Sequence, residues 1–239
     1  MDFLCKQFSL NHNNSTMKVG TDSILLASCL NDYFQTTPHN INNILDVGTG
    51  CGILALCSAQ IFPNAQIIAI DIDQASVEES VGNFAQTPWH DRLKAQRISF
   101  EDFATNYSKK DIDLIVSNPP YFTNSLPAST DRKTFARHNI SLTLEDFVLS
   151  AMKIASKNAK LAIILPCNEM NSIEKMFNSQ NYFAEYKTLI FAKPNTEAKR
   201  KIIVFSQESK TLTEQQIFIR TFDNQYSEEY QRLTSPFLL

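Results

Sequence analysis

The stretch Asn118-Pro119-Pro120-Tyr121 contains the residue types that point most directly to chemistry. It follows an apolar run, Ile112–Ser117, that is typical of a buried strand. Each proline fixes its own φ and pushes the residue before it toward extended geometry, so the chain leaves the sheet as a stiff segment. Because prolines have no N–H, the carbonyls and the Asn118 amide oxygen remain available as acceptors beside an aromatic ring. This array suits a planar group that carries an NH2, such as the edge of adenine or a glutamine side-chain amide.

A glycine-rich turn, Asp46–Gly52, follows an earlier predicted strand and opens a predicted helix. Its glycines, Gly48, Gly50 and Gly52, allow a sharp turn and a close approach to a ligand. Asp71 stands 23 residues after Gly48, at the end of the next predicted strand. That spacing places a carboxylate beside the ribose of a ligand held at the turn. Taken alone, the turn is also explained by tight packing of a strand against a helix.

The charge around this turn favours a cationic ligand. The spacing is G-x-G-x-G, which differs from the G-x-G-x-x-G pattern of dinucleotide sites. Asp46 lies just ahead of the glycines, where its carboxylate repels a phosphate and attracts a cation. S-adenosylmethionine carries a sulfonium and an ammonium group. We therefore expect Asp46 and the glycine backbone to bind its methionine end and Asp71 to bind its two ribose hydroxyls, with Ile72 as a further cofactor-binding residue.

The adenine ring of this cofactor should lie near the end of the third predicted strand, Arg97–Phe100. Asp102 is the preferred contact, because a carboxylate accepts a hydrogen bond from the adenine amino group. Ser99 and Glu101 remain open as alternatives at the same place.

Apolar strand-like runs alternate with amphipathic helical stretches from residue 44 onward, which predicts an α/β fold with a mostly parallel sheet covered by helices on both faces. An earlier helix is predicted from Ser23, and Asn168 is a predicted helix N-cap. The predicted strands are Ile44–Val47, Gln66–Asp71, Arg97–Phe100, Ile112–Ser117, Lys160–Pro166, Phe183–Ala192 and Lys201–Gln207, and the predicted helices are Gly52–Ile61, Gln74–Phe84, Thr143–Ser156 and Glu169–Ser179.

Composition places further bounds on the protein. The chain has 239 residues and a net charge of −3, so any nucleic-acid contact must come from a local basic patch. No apolar stretch approaches the ~20 residues of a membrane span, and the N-terminus lacks a signal-peptide layout. The five cysteines form no ligand-like cluster with the histidines. We expect reduced thiols, no bound metal and a cytoplasmic location.

Two basic clusters flank the loops expected at the mouth of the site. Exposed charge runs are usually solvated surface, but this position favours contact with RNA phosphates. The first cluster is Arg132, Lys133, Arg137 and His138, and the second is Lys187, Lys193, Lys199, Arg200 and Lys201.

The order of the glycine turn, the strand-end aspartate and Asn118–Tyr121 resembles the amino-directed branch of class I S-adenosylmethionine-dependent methyltransferases. The resemblance covers residues 40–207. It implies a Rossmann-like seven-stranded sheet with a reversed last strand. It also implies that Asn118, Pro119, Pro120 and Tyr121 present an amino nitrogen to the methyl group.

A closer resemblance, to the bacterial tRNA1(Val) adenine-37 N6-methyltransferase family, is carried by the flanking segments. These segments are Phe8-Ser9-Leu10, Met17–Leu26, Ala136-Arg137-His138 with Ser141-Leu142-Thr143, Lys199-Arg200-Lys201, and Tyr226-Ser227 through Leu233-Thr234. The end of the chain, 235–239, departs from the aromatic-rich family ending.

This resemblance implies a single methyltransferase domain with three parts. Residues 1–40 cap the cofactor through Lys18 and Thr21, residues 41–207 form the core, and residues 208–239 are a C-terminal extension. It implies a monomer that acts on the anticodon stem-loop of tRNA.

Three other functions compete with this interpretation. A glutamine-N5 methyltransferase of release factors also uses N-P-P-Y, but it usually has a helical domain before the glycine turn, where only 45 residues stand here. A ribosomal guanine-N2 enzyme more often has Phe after the prolines. A non-catalytic module for S-adenosylmethionine or RNA leaves the intact Asn118–Tyr121 stretch unexplained.

Overall fold

An eight-stranded sheet forms the centre of the computed structural model, which describes residues 2–15, 18–37, 39–119, 142–208 and 211–239. All its strands are parallel except β9, which is antiparallel to both neighbours. Across the sheet the order is β10 (Thr213–Phe218), β8 (Phe183–Phe191), β9 (Ala198–Ser206), β7 (Ala155–Pro166), β6 (Ile112–Ser117), β3 (Asn43–Val47), β4 (Gln66–Asp71) and β5 (Leu93–Arg97). Two short strands, β1 (Phe3–Leu4) and β2 (Ser9–Leu10), pair separately.

The predicted mostly parallel sheet is confirmed, and the strand expected to be last and reversed is β9, which a further strand follows. The expected count of seven strands is therefore wrong. The eighth strand, β10, comes from the C-terminal extension and pairs in parallel with β8. Its sequence, TEQQIF, has a single buried residue, Ile217. An edge strand needs few apolar residues, so its sequence gives a weak strand signal.

Seven helices cover both faces of the sheet in the described parts of the chain. One apolar layer contains Ile44 of β3 and the other contains the next residue, Leu45, as the alternation of a strand requires. The helices are α1 (Thr21–Thr36), α2 (Ile53–Ile61), α3 (Gln74–Ala85), α4 (Phe100–Asn106), α5 (Leu144–Ile154), α6 (Cys167–Ser179) and α7 (Glu228–Thr234). Helices α1, α2 and α7 pack on the Ile44 side, and α4, α5 and α6 on the Leu45 side.

Several predicted boundaries are wrong. The strand predicted at Arg97–Phe100 lies earlier, at Leu93–Arg97, and Phe100 begins helix α4. The edge strand β5 has only one buried residue, so its sequence lacks the apolar run that predicts a strand. The predicted N-cap Asn168 lies inside α6, which begins at Cys167 after Pro166. Helix α1 begins at Thr21, two residues before the predicted start.

All five cysteines are free thiols, and only Cys167 is partly exposed. None of the helices in the described ranges is long and apolar enough to cross a membrane.

Candidate active site

The residues predicted to carry the chemistry meet where three neighbouring strands end. Val47, the last residue of β3, pairs with Ile70 of β4 on one side and with the last residue of β6 on the other. The residues that follow these partners, Gly48, Asp71 and Asn118, therefore lie side by side at the carboxyl edge of the sheet. The chain leaves β3 toward β4 on one side and later returns to β6 on the other, so this is a topological switch point, where open α/β sheets bind ligands.

The glycine turn after β3 leaves space for a ligand at two of its three glycines. Gly48 and Gly50 have φ of +72° and +56°, and a Cβ added to either would have no atom within 4 Å. The N–H groups of Gly48 and Thr49 donate to the carbonyl of Ile70 at 2.9 and 3.0 Å. The turn is thus tied to β4 while its outer side stays open.

Gly52 serves packing instead. Its φ is +89°, and a Cβ there would lie 2.5 Å from Cε1 of Phe84 and 3.2 Å from Cβ of Ser80. The Gly52 carbonyl also accepts the Leu56 N–H as α2 begins. The structure therefore shows a packing role for Gly52, which lets the start of α2 lie close to α3. Its predicted contact with the cofactor stays a prediction.

Replacing Gly52 with alanine should lower the free energy of unfolding by about 2–5 kcal/mol, because left-handed backbone strain costs about 1–2 kcal/mol and overpacking about 1–3 kcal/mol. Urea denaturation measures this loss. Gly82→Ala is the matched control, since Gly82 lies inside helix α3 with no atom near its Cβ position. That change should add about 0.5–1 kcal/mol. Equal stability of the two variants would contradict the packing role.

Asp46 is a fully buried carboxyl group with one oxygen unused. Its Oδ2 accepts hydrogen bonds from the Thr49 hydroxyl at 2.6 Å and the Ala55 N–H at 3.1 Å. Its Oδ1 is buried and has no hydrogen-bond partner among the described residues. Burial raises the pKa of Asp46 to about 7, although the bonds from Thr49 and Ala55 lower it, and the nearby Asp71 adds to the rise. A cation bound next to this carboxyl group would favour its ionised form.

Asp71 closes the other side of the turn. Its Oδ2 accepts from the Gly50 N–H and its Oδ1 from the Asp73 N–H, each at 2.9 Å. Burial raises the pKa of Asp71 above its ordinary value. Each carboxylate oxygen keeps a further lone pair for a hydroxyl donor. The carbonyl of Ile72 accepts from Arg97 Nε at 3.2 Å, so the Ile72 backbone is fixed beside the turn.

The candidates for the adenine contact lie at the start of helix α4. The Ile98 N–H donates to the Asp71 carbonyl at 3.0 Å, which brings this segment beside the ribose position. Ser99 caps α4, since its hydroxyl accepts the Asp102 N–H at 3.0 Å. The Asp102 side chain is exposed and Glu101 is half-buried. The choice among these three residues stays a prediction.

Asn118 is half-buried directly after β6, and Pro119 is buried beside it. Asn118 Nδ2 donates to the hydroxyl of Ser23, in the first turn of α1, at 2.9 Å. Sequence reasoning missed Ser23, because no local pattern relates two residues that are 95 positions apart. Pro120 and Tyr121, the other predicted catalytic residues, lie outside the described residues.

Helix α3 holds the N-terminal segment against the glycine turn. Asn83 Nδ2 donates to the carbonyls of Cys51 and Asn11, both at 2.8 Å. The carboxylate of Glu79 accepts the N–H groups of residues 13, 14 and 15 at 2.8–2.9 Å. Burial alone would raise the pKa of Glu79, but these N–H donors outweigh burial and lower it. Sequence reasoning missed these contacts of Asn83 and Glu79, because the residues that they join lie far apart along the chain.

Lys18 and Thr21 follow the segment that Asn83 and Glu79 hold, and both side chains are exposed. Thr21 is the first residue of α1. Their predicted contact with the cofactor stays a prediction.

Three residues of the second predicted RNA cluster, Lys199, Arg200 and Lys201, lie at the same edge of the sheet. Arg200 pairs with Pro166, the last residue of β7, so the start of β9 stands at the carboxyl ends of the parallel strands. Lys199 is exposed, and Arg200 contacts Asp22 of α1 through Nε at 2.9 Å. Lys201 donates to Asn171 at 2.6 Å.

Lys187, in contrast, lies within β8 and pairs with Glu174 at 3.0 Å, so it is an unfavourable phosphate contact. The sequence did not reveal this acidic neighbour, and the predicted contact of Lys187 with RNA stays a prediction. The first cluster, Arg132, Lys133, Arg137 and His138, lies outside the described residues.

Two observations fit S-adenosylmethionine as the ligand of this edge. The unpaired Oδ1 of Asp46 needs a donor, which the ammonium group supplies. The open space at Gly48 and Gly50 admits a ligand close to the backbone. In the described ranges no three His, Cys, Asp or Glu side chains are grouped to hold a metal ion.

Known proteins resemble this chain over most of its length. Residues 10–164 match the family model described as the methyltransferase small domain. A protein of Bacteroides thetaiotaomicron is 33% identical over 99% of this chain and 97% of its own length. A protein of Flavobacterium psychrophilum is 31% identical over 99% of both chains. Both relatives are named tRNA1(Val) (adenine(37)-N6)-methyltransferase.

Solved structures share the fold at low sequence identity. A predicted O-methyltransferase from Agrobacterium tumefaciens has a TM-score of 0.68 at 17% identity, covering 90% of this chain and 96% of that one. A T. thermophilus 16S rRNA N2 G1207 methyltransferase, solved with AdoMet and guanosine, has a TM-score of 0.58 at 19% identity. That match covers 87% of this chain and 50% of the other.

Proposed function

We propose that this protein, which belongs to the tRNA1(Val) (adenine(37)-N6)-methyltransferase family, transfers a methyl group from S-adenosylmethionine to N6 of adenine 37 in tRNA1(Val). The names of its relatives support the substrate. One structural observation carries the proposal. Strand register sets Asn118, the proposed acceptor for an amino group, beside Gly48 of a turn with open space at its backbone.

The methyl donor would be held by the turn and its two aspartates. S-adenosylmethionine supplies an electrophilic methyl group on a sulfonium. Asp46 would accept from the ammonium group through its unpaired Oδ1, and Asp71 would accept from the ribose hydroxyls. Both carboxyl groups are sheltered from water. Charge-assisted hydrogen bonds are stronger in such a sheltered site than in water.

The substrate nitrogen would be oriented by the acceptors after β6. An adenine NH2 is a poor nucleophile, because its lone pair is delocalised into the ring. The Asn118 side-chain oxygen and the Pro119 carbonyl would accept its two N–H groups, and the lone pair then turns toward the methyl group. No strong base is needed, since the proton becomes acidic only as the N–C bond forms. Positioning and acceptor electrostatics then supply most of the acceleration.

The RNA would approach across the edge that carries Lys199. An adenine in an anticodon loop is already unpaired, so turning it into the site costs at most a few kcal/mol. Binding to the anticodon stem-loop, action as a monomer and a cytoplasmic location are parts of this proposal that come from the sequence and the family resemblance.

Incubation of the purified protein with methyl-labelled S-adenosylmethionine and total RNA from cells that lack this gene tests the function. We expect label in tRNA, and N6-methyladenosine after digestion to nucleosides and mass spectrometry. RNA from cells that retain the gene is the control, because its site should already be methylated. Label on protein glutamine instead would overturn the proposal in favour of an amide methyltransferase.

Cofactor affinity should fall on acidification, because the free Asp46 carboxyl has a pKa of about 7 and only its ionised form attracts the ammonium group. Below that pKa, binding must first remove the proton. Each unit of pH below the pKa then costs up to about tenfold in affinity. We expect the Kd measured by calorimetry to rise by about ten- to thirtyfold between pH 7.5 and 5.5.

Asp46→Asn should bind more weakly at pH 7.5 and lose most of this pH dependence. His12→Asn is a control from the N-terminal segment, where His12 Nδ1 accepts the Val19 N–H at 3.1 Å. If Asp46→Asn keeps the full pH dependence, a different group controls binding.

A further inference from the structure

A single side-chain hydrogen bond joins helix α1 to the predicted catalytic asparagine. Asn118 Nδ2 donates to Ser23 Oγ at 2.9 Å. Ser23 is only 7% exposed, and the next seven residues of α1, 24–30, are all buried. The buried helix therefore holds the backbone of Ser23 in place beside the amide. Asn118 has a fixed acceptor on the side of its Nδ2.

The first turn of α1 is itself anchored to the sheet. Arg200 Nε, near the start of β9, contacts Asp22 Oδ2 at 2.9 Å, and both side chains are about one-quarter exposed. A charge-assisted contact of this kind is stronger than a neutral one. Since Asp22 precedes Ser23 directly, this ion pair holds the Ser23 hydroxyl at a defined distance from the end of β6.

The chemistry of an amide makes this contact important. Its oxygen accepts and its NH2 donates, and the two groups lie on opposite sides of the same planar carbon. With Nδ2 held by Ser23, Oδ1 faces away from α1. If the amide rotated by half a turn, its NH2 would face the substrate NH2, and two donors would oppose each other. Only the first orientation can accept a hydrogen bond from an amine.

We propose that Ser23 is a positioning residue for methyl transfer. Its hydroxyl accepts the Nδ2–H of Asn118 and so keeps Oδ1 directed at the amino group of the substrate. This inference rests on the proposed function, because it assigns Oδ1 of Asn118 to a substrate amine. Without Ser23, the amide loses the partner that holds its plane in place, and Oδ1 is no longer held toward the substrate.

Ser23→Ala is the first test. We expect kcat for tRNA methylation to fall about tenfold, the rate equivalent of one ordinary hydrogen bond. The cofactor Kd should stay within about twofold, because the bond acts on the acceptor of the substrate and not on the methyl donor. Ser23→Thr keeps a hydroxyl at the same position and should restore most of the rate.

Ser28→Ala is the matched control. Ser28 is a fully buried serine on the same helix, and its Oγ has no hydrogen-bond partner among the described residues. A general loss from changing a buried serine of α1 would appear in both alanine variants. A loss confined to Ser23→Ala would identify its contact with Asn118 as the cause.

Two further measurements separate positioning from folding. In an Asn118→Ala background, Ser23→Ala should cause no additional loss of kcat, because the group it positions is already absent. The side-chain NH2 signals of Asn118, identified by their absence from the Asn118→Ala spectrum, should shift in Ser23→Ala and not in Ser28→Ala. This spectroscopic readout does not depend on activity or on whether threonine fits.

The outcomes distinguish the positioning role of Ser23 from the proposed methylation of tRNA. If the unmodified protein fails to methylate adenine in tRNA, the proposed function is wrong, and the NMR comparison still decides whether Ser23 holds Asn118. If the unmodified protein is active but Ser23→Ala and Ser28→Ala have equal kcat, Ser23 has no positioning role. Additive losses in the double variant would lead to the same rejection.

Discussion

We expect the Asn118→Ala protein to bind S-adenosylmethionine with nearly unchanged affinity and to transfer its methyl group about 10²–10³-fold more slowly. Asn118 stands at the end of β6, next to the strand that opens the glycine turn, but its side chain contacts α1 instead of the turn. Its removal therefore takes an acceptor from the substrate side of the site and leaves the hydrogen bonds of the turn intact. The size of the loss corresponds to that of a single well-placed electrostatic group in other enzymes.

Single-turnover methylation of tRNA and calorimetry with S-adenosylhomocysteine measure the two quantities separately. Asn64→Ala is a suitable control, because Asn64 is an exposed asparagine in the turn before β4, at the opposite edge of the sheet. It should match the unmodified protein in both measurements. A rate loss below about tenfold for Asn118→Ala would remove the residue from the chemical step. A parallel loss of cofactor affinity would assign it to the cofactor pocket instead.

The centre of the sheet was predictable because it is buried on both faces. Strands β4 and β6 begin and end at the residues that their apolar runs indicate, and the turn after β3 has its glycines in left-handed geometry. In such strands every residue must be apolar or paired, so the sequence has little freedom. The residues following these strands were therefore the safest candidates for the site.

The remaining parts of the site depend on contacts that no local pattern encodes. Ser23 and Asn118 are 95 positions apart, and Asn83 reaches Cys51 and Asn11 across 32 and 72 positions. The prediction of strands β5 and β10 failed for another reason. Both are edge strands with mostly exposed residues, so the alternation that marks a half-buried strand is missing.

The second large effect should come from Asp71. We expect Asp71→Ala to raise the Kd for S-adenosylmethionine about 10²-fold, because charge-assisted hydrogen bonds to the ribose hydroxyls contribute about 1.5–3 kcal/mol each and some of this is recovered by water. At saturating cofactor, kcat should stay within about tenfold of the unmodified value, since the proposed role of Asp71 is to bind the methyl donor and not the amine. Calorimetry and steady-state kinetics test both statements.

Alanine at position 71 also removes the partners of two backbone donors. The N–H groups of Gly50 and Asp73 each lose a carboxylate oxygen at 2.9 Å, so the glycine turn itself is loosened. Asp71→Asn is the better variant for separating these roles. An asparagine keeps one oxygen for a backbone N–H and loses the charge, so its Kd should lie between those of the unmodified and alanine proteins.

A ligand that lacks one ribose hydroxyl separates ribose recognition from turn geometry. The unmodified protein should bind S-adenosylhomocysteine more tightly than its 2′-deoxy analogue, and Asp71→Ala should no longer discriminate between them. Asp73→Ala is the neighbouring control. Asp73 caps α3 through the Ser76 N–H at 2.9 Å, so its loss should cost about 0.5–2 kcal/mol of stability and retain the discrimination. If Asp71→Ala weakens both ligands equally and still discriminates, Asp71 shapes the glycine turn and leaves the ribose to another residue.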